Sequence, residues 1–413
     1  MMDRNKEGLG RLPRNIWVVT VTSFLTDVSS EMVTNLLPLF LFNVLGARTS
    51  AIGLIDGMAE TLSSLIKVVS GRVSDRIGSR KWLAVAGYAL STAAKPFLYF
   101  ASSWGWVLGV RSADRIGKGL RTAPRDALVA DTVRENQRGL AFGLHRAGDT
   151  GGAVVGIGIA LAVLLAAGKG TTELNRSTFQ SIVLLSLIPA ILAVFTLALG
   201  AQEVRRRAVS ARQGGSPQAN LDRRFYLFMG IIIVFTLGNA SDSFLILRAQ
   251  NAGLGVASIL GMMITFNLIY ALTAGPAGAL SDRIGRRGLL LSGWIVYALV
   301  YAGFALLRSG WHAWALMALY GIYYGLSEGV ARALVADLVP AEQRGSAYGL
   351  YHAAIGIGAL PASLIAGVLW QGIGGWGGLG PSAPFIFGST LAALAAILLT
   401  RIGLRAGATG GPQ

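Results

Sequence analysis

Apolar runs recur along the whole chain, separated by short stretches rich in charged residues and glycine. Twelve of them are long enough to cross roughly 30 Å of hydrocarbon as helices. They cover residues 16–44, 51–74, 82–101, 105–130, 139–167, 177–200, 225–249, 256–281, 288–307, 311–337, 345–371 and 382–402. Backbone groups in lipid must be bonded within protein, so runs of this length are expected to be helical. The ten-residue alternating segments of a membrane barrel are not seen. The pattern predicts an all-α membrane protein with twelve transmembrane helices, numbered below in this order.

Composition supports this pattern over the two or three soluble domains that length alone would suggest. Hydrophobic residues make up 53% of the chain and charged residues only 14%, against about 25% charged in soluble domains. The net charge of +16 would suit nucleic acid, but its distribution argues for topology. Arg4, Lys6, Arg11, Arg14, Arg76, Arg80, Lys81, the Arg205–Arg207 run, Arg212, Arg223 and Arg224 all fall on one side of the spans. The other side carries only Arg48, Lys169, Arg176, Arg248 and Arg308. Basic loops mark the cytoplasmic side. Both termini are therefore expected in the cytoplasm, in a prokaryotic inner membrane, with contact to anionic lipid and none to nucleic acid.

Cysteine is absent and there are three histidines, so no disulfide, resident metal or other cofactor is expected. Met1–Arg14 is short, polar and basic and lacks the apolar core of a secretory signal, so the first span should be retained.

The chain repeats itself. Gly71-Arg72-Val73-Ser74-Asp75-Arg76-Ile77-Gly78 after the second span matches Gly278-Ala279-Leu280-Ser281-Asp282-Arg283-Ile284-Gly285 after the eighth. Ala127-Leu128-Val129-Ala130-Asp131 after the fourth span matches Ala333-Leu334-Val335-Ala336-Asp337 after the tenth, and Gln137-Arg138-Gly139 matches Gln343-Arg344-Gly345. Asp75 to Asp282 is an offset of 207 residues and Asp131 to Asp337 one of 206, so both pairs point to duplication of a six-helix unit. The expected organisation is a bundle over 1–200, a polar linker over 201–224, a second bundle over 225–402 and a disordered glycine-rich tail over 403–413.

On these motifs the chain resembles the major facilitator superfamily over nearly its whole length. Gly71, Asp75, Arg76, Gly78 and Arg80 fit that family's loop signature, as do Gly278, Leu280, Asp282, Arg283, Gly285 and Arg287; Ser79 and Trp82 depart where a basic residue is usual. The resemblance implies two pseudo-symmetric six-helix bundles and a loop that latches a cytoplasmic gate, to which Asp131, Arg138, Asp337 and Arg344 would contribute. Topology signalling and loop solubility are the plainer alternative for the same loop. Asp75 and Asp282, at helix ends, are suited to receive backbone N–H groups at the start of a neighbouring helix. Arg111 and Gly117 match part of a fourth-span signature of the family's drug/proton antiporters, with Asp114 and Arg115 departing. Gly143, Gly152 and Gly156 have the spacing of their fifth-span signature, but Ile157 replaces its proline. Those glycines serve close helix packing equally well.

Charge at membrane depth is costly and usually faces protein or a water-filled cavity. In the fourth span Arg111, Asp114, Arg115, Lys118, Arg121, Arg125 and Asp126 fall within about 140° at 100° per residue. A polar central cavity and a buried structural ion network both account for such a stripe. Asp27, Glu31 and Asn35 share one face of the first span, and Asp56, Glu60 and Lys67 one face of the second. The fifth span holds His145, Arg146 and Asp149. The resemblance sets the first span beside the fourth, so Asp27, Glu31, Asp114 and Asp149 are the candidates for proton coupling. Arg111, Arg115, Lys118 and Asn35 are candidates for the cavity wall. From the second half come Asn239, Asp242, Tyr320, Tyr324 and Glu328, whose tyrosines suit an organic ligand or a cation and also ordinary packing.

The reading that follows is a monomeric secondary transporter moving a small molecule by alternating access, with proton-coupled efflux as the leading form. An anion transporter using the fourth-span cations and divalent-metal efflux through acidic oxygens are the alternatives. An intramembrane enzyme, an ATP-driven pump and a channel fit less well: no H-E-x-x-H, G-x-S-x-G or phosphate-cradling loop occurs, and the repeat favours alternating access over a pore.

Overall fold

A computed structural model describes residues 12–134, 137–168, 174–204, 222–340 and 343–401, without the side chains of Gly139, Ala279, Asp282, Arg283 and Ser346. Every regular element among them is helical. Six spans make up the first half. They are α1 (Arg14–Thr34, continued by Leu37–Leu39 and a π-helical turn, Phe40–Val44), α2 (Thr49–Ile77), α3 (Lys81–Ala94, extended as a 3-10 helix, Lys95–Leu98), α4 (Trp104–Thr132), α5 (Arg138–Ala166) and α6 (Arg176–Gly200). The second half holds α7 (Arg223–Gly238 and Ser243–Asn251), α8 (Val256–Ile284), α9 (Arg286–Ala305), α10 (Gly310–Asp337), α11 (Arg344–Gln371) and α12 (Ala383–Arg401). All twelve expected spans are present. Most of the expected linker, 205–221, and the expected tail lie outside the described residues, while 223 and 224 already belong to α7.

Local chemistry sets the ends. Gly78 caps α2 at φ +68°, a conformation that glycine enters without a Cβ penalty. Asn175 and Ser103 accept from the first free N–H groups of α6 and α4, Thr178 N at 2.8 Å and Trp106 N at 3.3 Å. Pro96 lies where α3 tightens into its 3-10 turn, as expected of a residue that cannot donate to the α-helical ladder.

Eight of the spans are long and apolar enough by themselves to cross a membrane. The others are α2, α3, α4 and α10. They complete the bundles by packing on the rest, which is how α2 and α4 keep their charges out of lipid. Within the first half, α1 packs on α5 and α6, α4 on α2 and α3, and α3 on α6. Within the second, α7 packs on α11 and α12, α10 on α8 and α9, and α9 on α12. The second set is the first moved on by six helices, so the duplication seen in the loops extends to the packing. The halves meet along α2–α11 and α5–α8, two interfaces that the same six-helix shift exchanges.

Glycines set the tightest contact inside the first half. A Cβ on Gly152 or Gly156 of α5 would lie 2.4 Å from the carbonyl oxygen of Phe24 or Val28 of α1. Here the packing reading of the fifth-span glycines applies. Gly143 faces open space and takes no part in it.

Candidate functional site

A cavity of about 440 Å³ lies between the halves, within the range of small-molecule sites. Below, the terminal face is the one that carries Arg14 and Arg401. The first half supplies Glu31 and Asn35 from α1, Asp56 and Glu60 from α2, and Arg111 and Arg115 from α4. The second half supplies the interruption of α7 (Asn239, Ala240, Ser241, Asp242, Ser243), then Met263, Phe266 and Asn267 of α8, Tyr324 of α10 and Ser363 of α11.

The interruption of α7 brings backbone polarity to the cavity. Asn239 leaves the helix at φ −99°, ψ 79°. The carbonyl freed at Gly238 accepts the Tyr297 hydroxyl at 3.0 Å, as a buried carbonyl requires a partner. Broken helices at this depth are tolerated where they line a cavity, and they are a common construction for transport sites.

Away from the terminal face the cavity is shut. Thr49 donates its amide to Gln371 Oε1 at 2.8 Å and its hydroxyl to the Gly367 carbonyl at 2.9 Å. Gly53 and Gly57 of α2 lie so close to α11 that an added Cβ would meet Ser363 O at 2.1 Å and Leu360 Cα at 2.7 Å. The α1 tail closes on the second segment of α7. Toward the terminal face Lys118, Arg146 and Arg332 are exposed. Lys118, at the middle of α4, needs water around it, so the cavity continues there into a vestibule.

Asp56 Oδ2 accepts the hydroxyls of Ser241 at 2.7 Å and Ser243 at 2.5 Å. Glu31 accepts from Asn35 Nδ2 at 2.8 Å. Asp242 accepts from the Tyr320 hydroxyl at 2.8 Å. Asp114 lies 3.6 Å from Arg111 and 3.8 Å from Arg115, and the buried Nε of each arginine has no hydrogen-bond partner. Glu60 has no hydrogen-bond or ion-pair partner among the described residues. Its charged neighbours include Lys67 and Lys118.

Six expected wall residues, Arg111, Arg115, Asn35, Asn239, Asp242 and Tyr324, line this cavity, and so does Glu31. Three others do not. Tyr320 is fully buried and stacks on Tyr323 at 5.4 Å, so it holds Asp242 and does not face a ligand. Lys118 stands in the vestibule. Glu328 is bonded to Arg146 at 3.0 Å and to Arg332 at 2.5 Å, with the Tyr270 hydroxyl between it and Arg146, a bridge between α5 and the second half. Asp56 and Glu60 share a face in the sequence, but no role follows from that. Ser241, Ser243, Phe266 and Asn267 carry no local signal.

The α4 stripe divides by depth. Arg111 and Arg115 face the cavity. Arg121 stacks 4.5 Å over the Tyr88 ring and donates to Ser91 Oγ at 2.8 Å, and Arg125 pairs with Asp126 at 2.8 Å; these belong to a structural network within the bundle. Asp27 and Asp149 sit together where α1 and α5 touch. The charged neighbours of Asp27 include Asp149, Glu31, Lys118, Arg121 and Lys95. Asp149 Oδ2 lies 3.3 Å from His145 Nδ1, and its Oδ1 is buried without a partner. His145 Nε2 lies 2.9 Å from the Ser23 hydroxyl.

At the terminal face Arg80 pairs with Asp75 at 2.7 Å and lies 3.4 Å from Asp131. Asp75 does not receive the N–H groups at the start of α3. That carboxylate is Glu203, which accepts from Arg80 N at 2.7 Å, Lys81 N at 3.1 Å and Ser79 Oγ at 3.0 Å. In the second half Asp337 takes Arg286 at 2.5 Å, while Arg287 turns to the Thr400 carbonyl and Arg344 to the Ala336 carbonyl at 3.3 Å. Arg286 occupies the position of Ser79, so the departure from the loop signature and the change of partner coincide. Gly71 and Gly278 face largely open space, and Gly285 adopts φ +91°. The side chains of Asp282 and Arg283 lie outside the described residues, and Arg76 and Arg138 mark the exposed rim of this face.

Comparison with known proteins agrees with this architecture. The profile of the Major Facilitator Superfamily matches residues 19–264 and 225–409. An uncharacterized MFS-type transporter of Methanocaldococcus jannaschii is 35% identical over 406 residues, 96% of this chain and 97% of its own. Sugar efflux transporter A of Dickeya chrysanthemi is 24% identical over 377 residues, 84% of this chain and 87% of its own. Among solved structures, a bacterial homolog of the human lysosomal transporter Spinster, inward-facing and occupied, superposes with a TM-score of 0.75 at 16% identity. It covers 93% of this chain and 95% of that one, a likeness of fold alone. With the profile matched across both halves and a full-length relative at 35% identity, the chain belongs to the Major Facilitator Superfamily, a family of membrane transporters and not of enzymes.

Proposed function

We propose that this transporter exports a small polar organic molecule in exchange for protons, with both termini in the cytoplasm of a prokaryotic inner membrane. On that orientation the structure is the cytoplasm-open state, shut by α2–α11 and by the α1 tail on α7.

The observation that carries proton coupling is the Asp27–Asp149 neighbourhood. Two carboxylates stand where α1 and α5 touch, and one oxygen of Asp149 is buried with no partner. Charging both at membrane depth is costly, so a proton held there fits the site. Glu31 neighbours Asp27 and lines the cavity, which gives such a proton a route to the substrate. Export is supported by a relative named as an efflux transporter that matches 84% of this chain.

Flux in proteoliposomes under an imposed pH gradient tests this reading. Uptake or release that follows the gradient, and is lost in Asp27→Asn and Glu31→Gln, is expected. Transport indifferent to the gradient in the parent protein overturns the coupling.

The anion alternative keeps one specific observation, the buried Nε atoms of Arg111 and Arg115 that make no hydrogen bond. Metal efflux has weaker support: among the described residues no three His, Asp or Glu side chains form a cation cage.

A further inference from the structure

The cavity presents two chemistries of opposite sign. On α2 the Glu60 carboxylate lines the cavity with no hydrogen-bond or ion-pair partner among the described residues. The other carboxylates of the wall are engaged: Glu31 by Asn35, Asp56 by Ser241 and Ser243, and Asp242 by Tyr320. On α4, Arg111 and Arg115 share the single carboxylate of Asp114 at 3.6 and 3.8 Å, long for charge-assisted bonds, which run about 2.7–2.9 Å. Their Nε atoms are buried without a hydrogen bond, that of Arg115 standing 3.8 Å from Asp114, and the Arg111 side chain is 10% exposed.

A buried N–H without an acceptor is costly, more so on a charged group. A carboxylate open to a water-filled cavity at membrane depth is likewise uncommon outside functional sites. An anion alone would satisfy the arginines and leave Glu60 facing it with like charge. A cation alone would pair with Glu60 and leave the arginine Nε atoms without a hydrogen bond. The ring of Phe266 and the Met263 side chain on α8 supply apolar surface between the polar walls.

We propose that the substrate is a small zwitterion, its ammonium group set against Glu60 and its anionic group against Arg111 and Arg115, with an apolar body against Phe266 and Met263. The proposal rests on this cavity being the substrate site of the transporter. It does not depend on transport direction or on the coupling ion.

Equilibrium binding to the purified full-length protein tests it without any gradient, so a failure of proton coupling leaves the result readable. Two probe series are used at pH 7, each with closely matched carbon skeletons and three charge states. The first is phenylalanine, phenethylamine and 3-phenylpropanoate; the second is 6-aminohexanoate, hexylamine and hexanoate. In at least one series the zwitterion is expected to bind roughly tenfold more tightly than either singly charged partner. Glu60→Gln should reduce the zwitterion to the affinity of the acid, and Arg115→Gln should reduce it to that of the amine. Arg115→Lys should recover part of the loss, and the ligand-free melting transition of each variant reports its fold. An amine that binds as tightly as the zwitterion would make this an organic-cation site, and an equally tight acid an anion site. Either result overturns the proposal, as does the failure of both zwitterions to bind.

Discussion

Asp56 Oδ2 accepts the Ser241 hydroxyl at 2.7 Å, and this bond joins α2 of the first bundle to the interruption of α7 in the second. Ser243 donates to the same oxygen at 2.5 Å. The two bundles are thus tied across the cavity on the side where it is shut. In any alternating-access cycle these bonds must part before that side opens.

Removing the acceptor should favour the alternate state. The chain has no cysteine, so a single Ala359→Cys on the cavity wall gives a clean probe. In the Asp56→Ala background, a membrane-impermeant maleimide applied opposite the terminal face should label that cysteine roughly tenfold faster, the value of one charge-assisted bond. Unchanged labelling would mean that these bonds do not hold the face shut.

Asp149 is expected to matter for coupling more than for folding. Asp149→Asn keeps the shape and the contact with His145 but removes the acid. Gradient-driven flux should be lost while exchange at equal pH on both sides persists. Equal loss of both would place Asp149 in the structure of the bundle and not in coupling.

The α1–α5 contact has no room for a side chain at Gly156, where a Cβ would lie 2.4 Å from the Val28 carbonyl. Gly156→Val should cost about 1–3 kcal/mol, as overpacking does, read as a lower melting temperature in detergent. Gly143→Ala, with nothing within 4 Å, is the matched control and should melt like the parent.

Glu203 acts as an N-terminal cap for α3 from the chain segment that follows α6. Glu203→Ala should destabilise that helix start by about 0.5–2 kcal/mol. Hydrogen exchange at the amides of Arg80 and Lys81 should quicken, with the centre of α3 unaffected. Unchanged exchange at those two amides would show that water replaces the cap at no cost.

Much of this architecture is legible in the order of residues. Spans follow from apolar runs because lipid leaves a backbone no other partner. The interruption of α7 is not legible. Gly238 and Asn239 are tolerated inside helices, and what stabilises the break comes from elsewhere, from Tyr297 on the Gly238 carbonyl and Asp56 on Ser241. The offset between the repeats pairs Arg287 with Arg80, yet Asp337 binds Arg286. A repeat specifies equivalent positions, while one residue of difference, Ser79 against Arg286, decides which side chain reaches the acid.

By itself, the sequence determined the number of spans, their duplication and the segregation of basic charge, because each depends on residue type and spacing along one chain. Tertiary structure decided which charges meet. The seven charged residues of α4 share one face by periodicity, but from Arg111 to Asp126 that face rises about 22 Å. Along that rise it passes the cavity at Arg111 and Arg115, the vestibule at Lys118 and the interior of the bundle at Arg121 and Arg125. Helical periodicity encodes direction around an axis; depth and neighbour belong to the packing of the other helices.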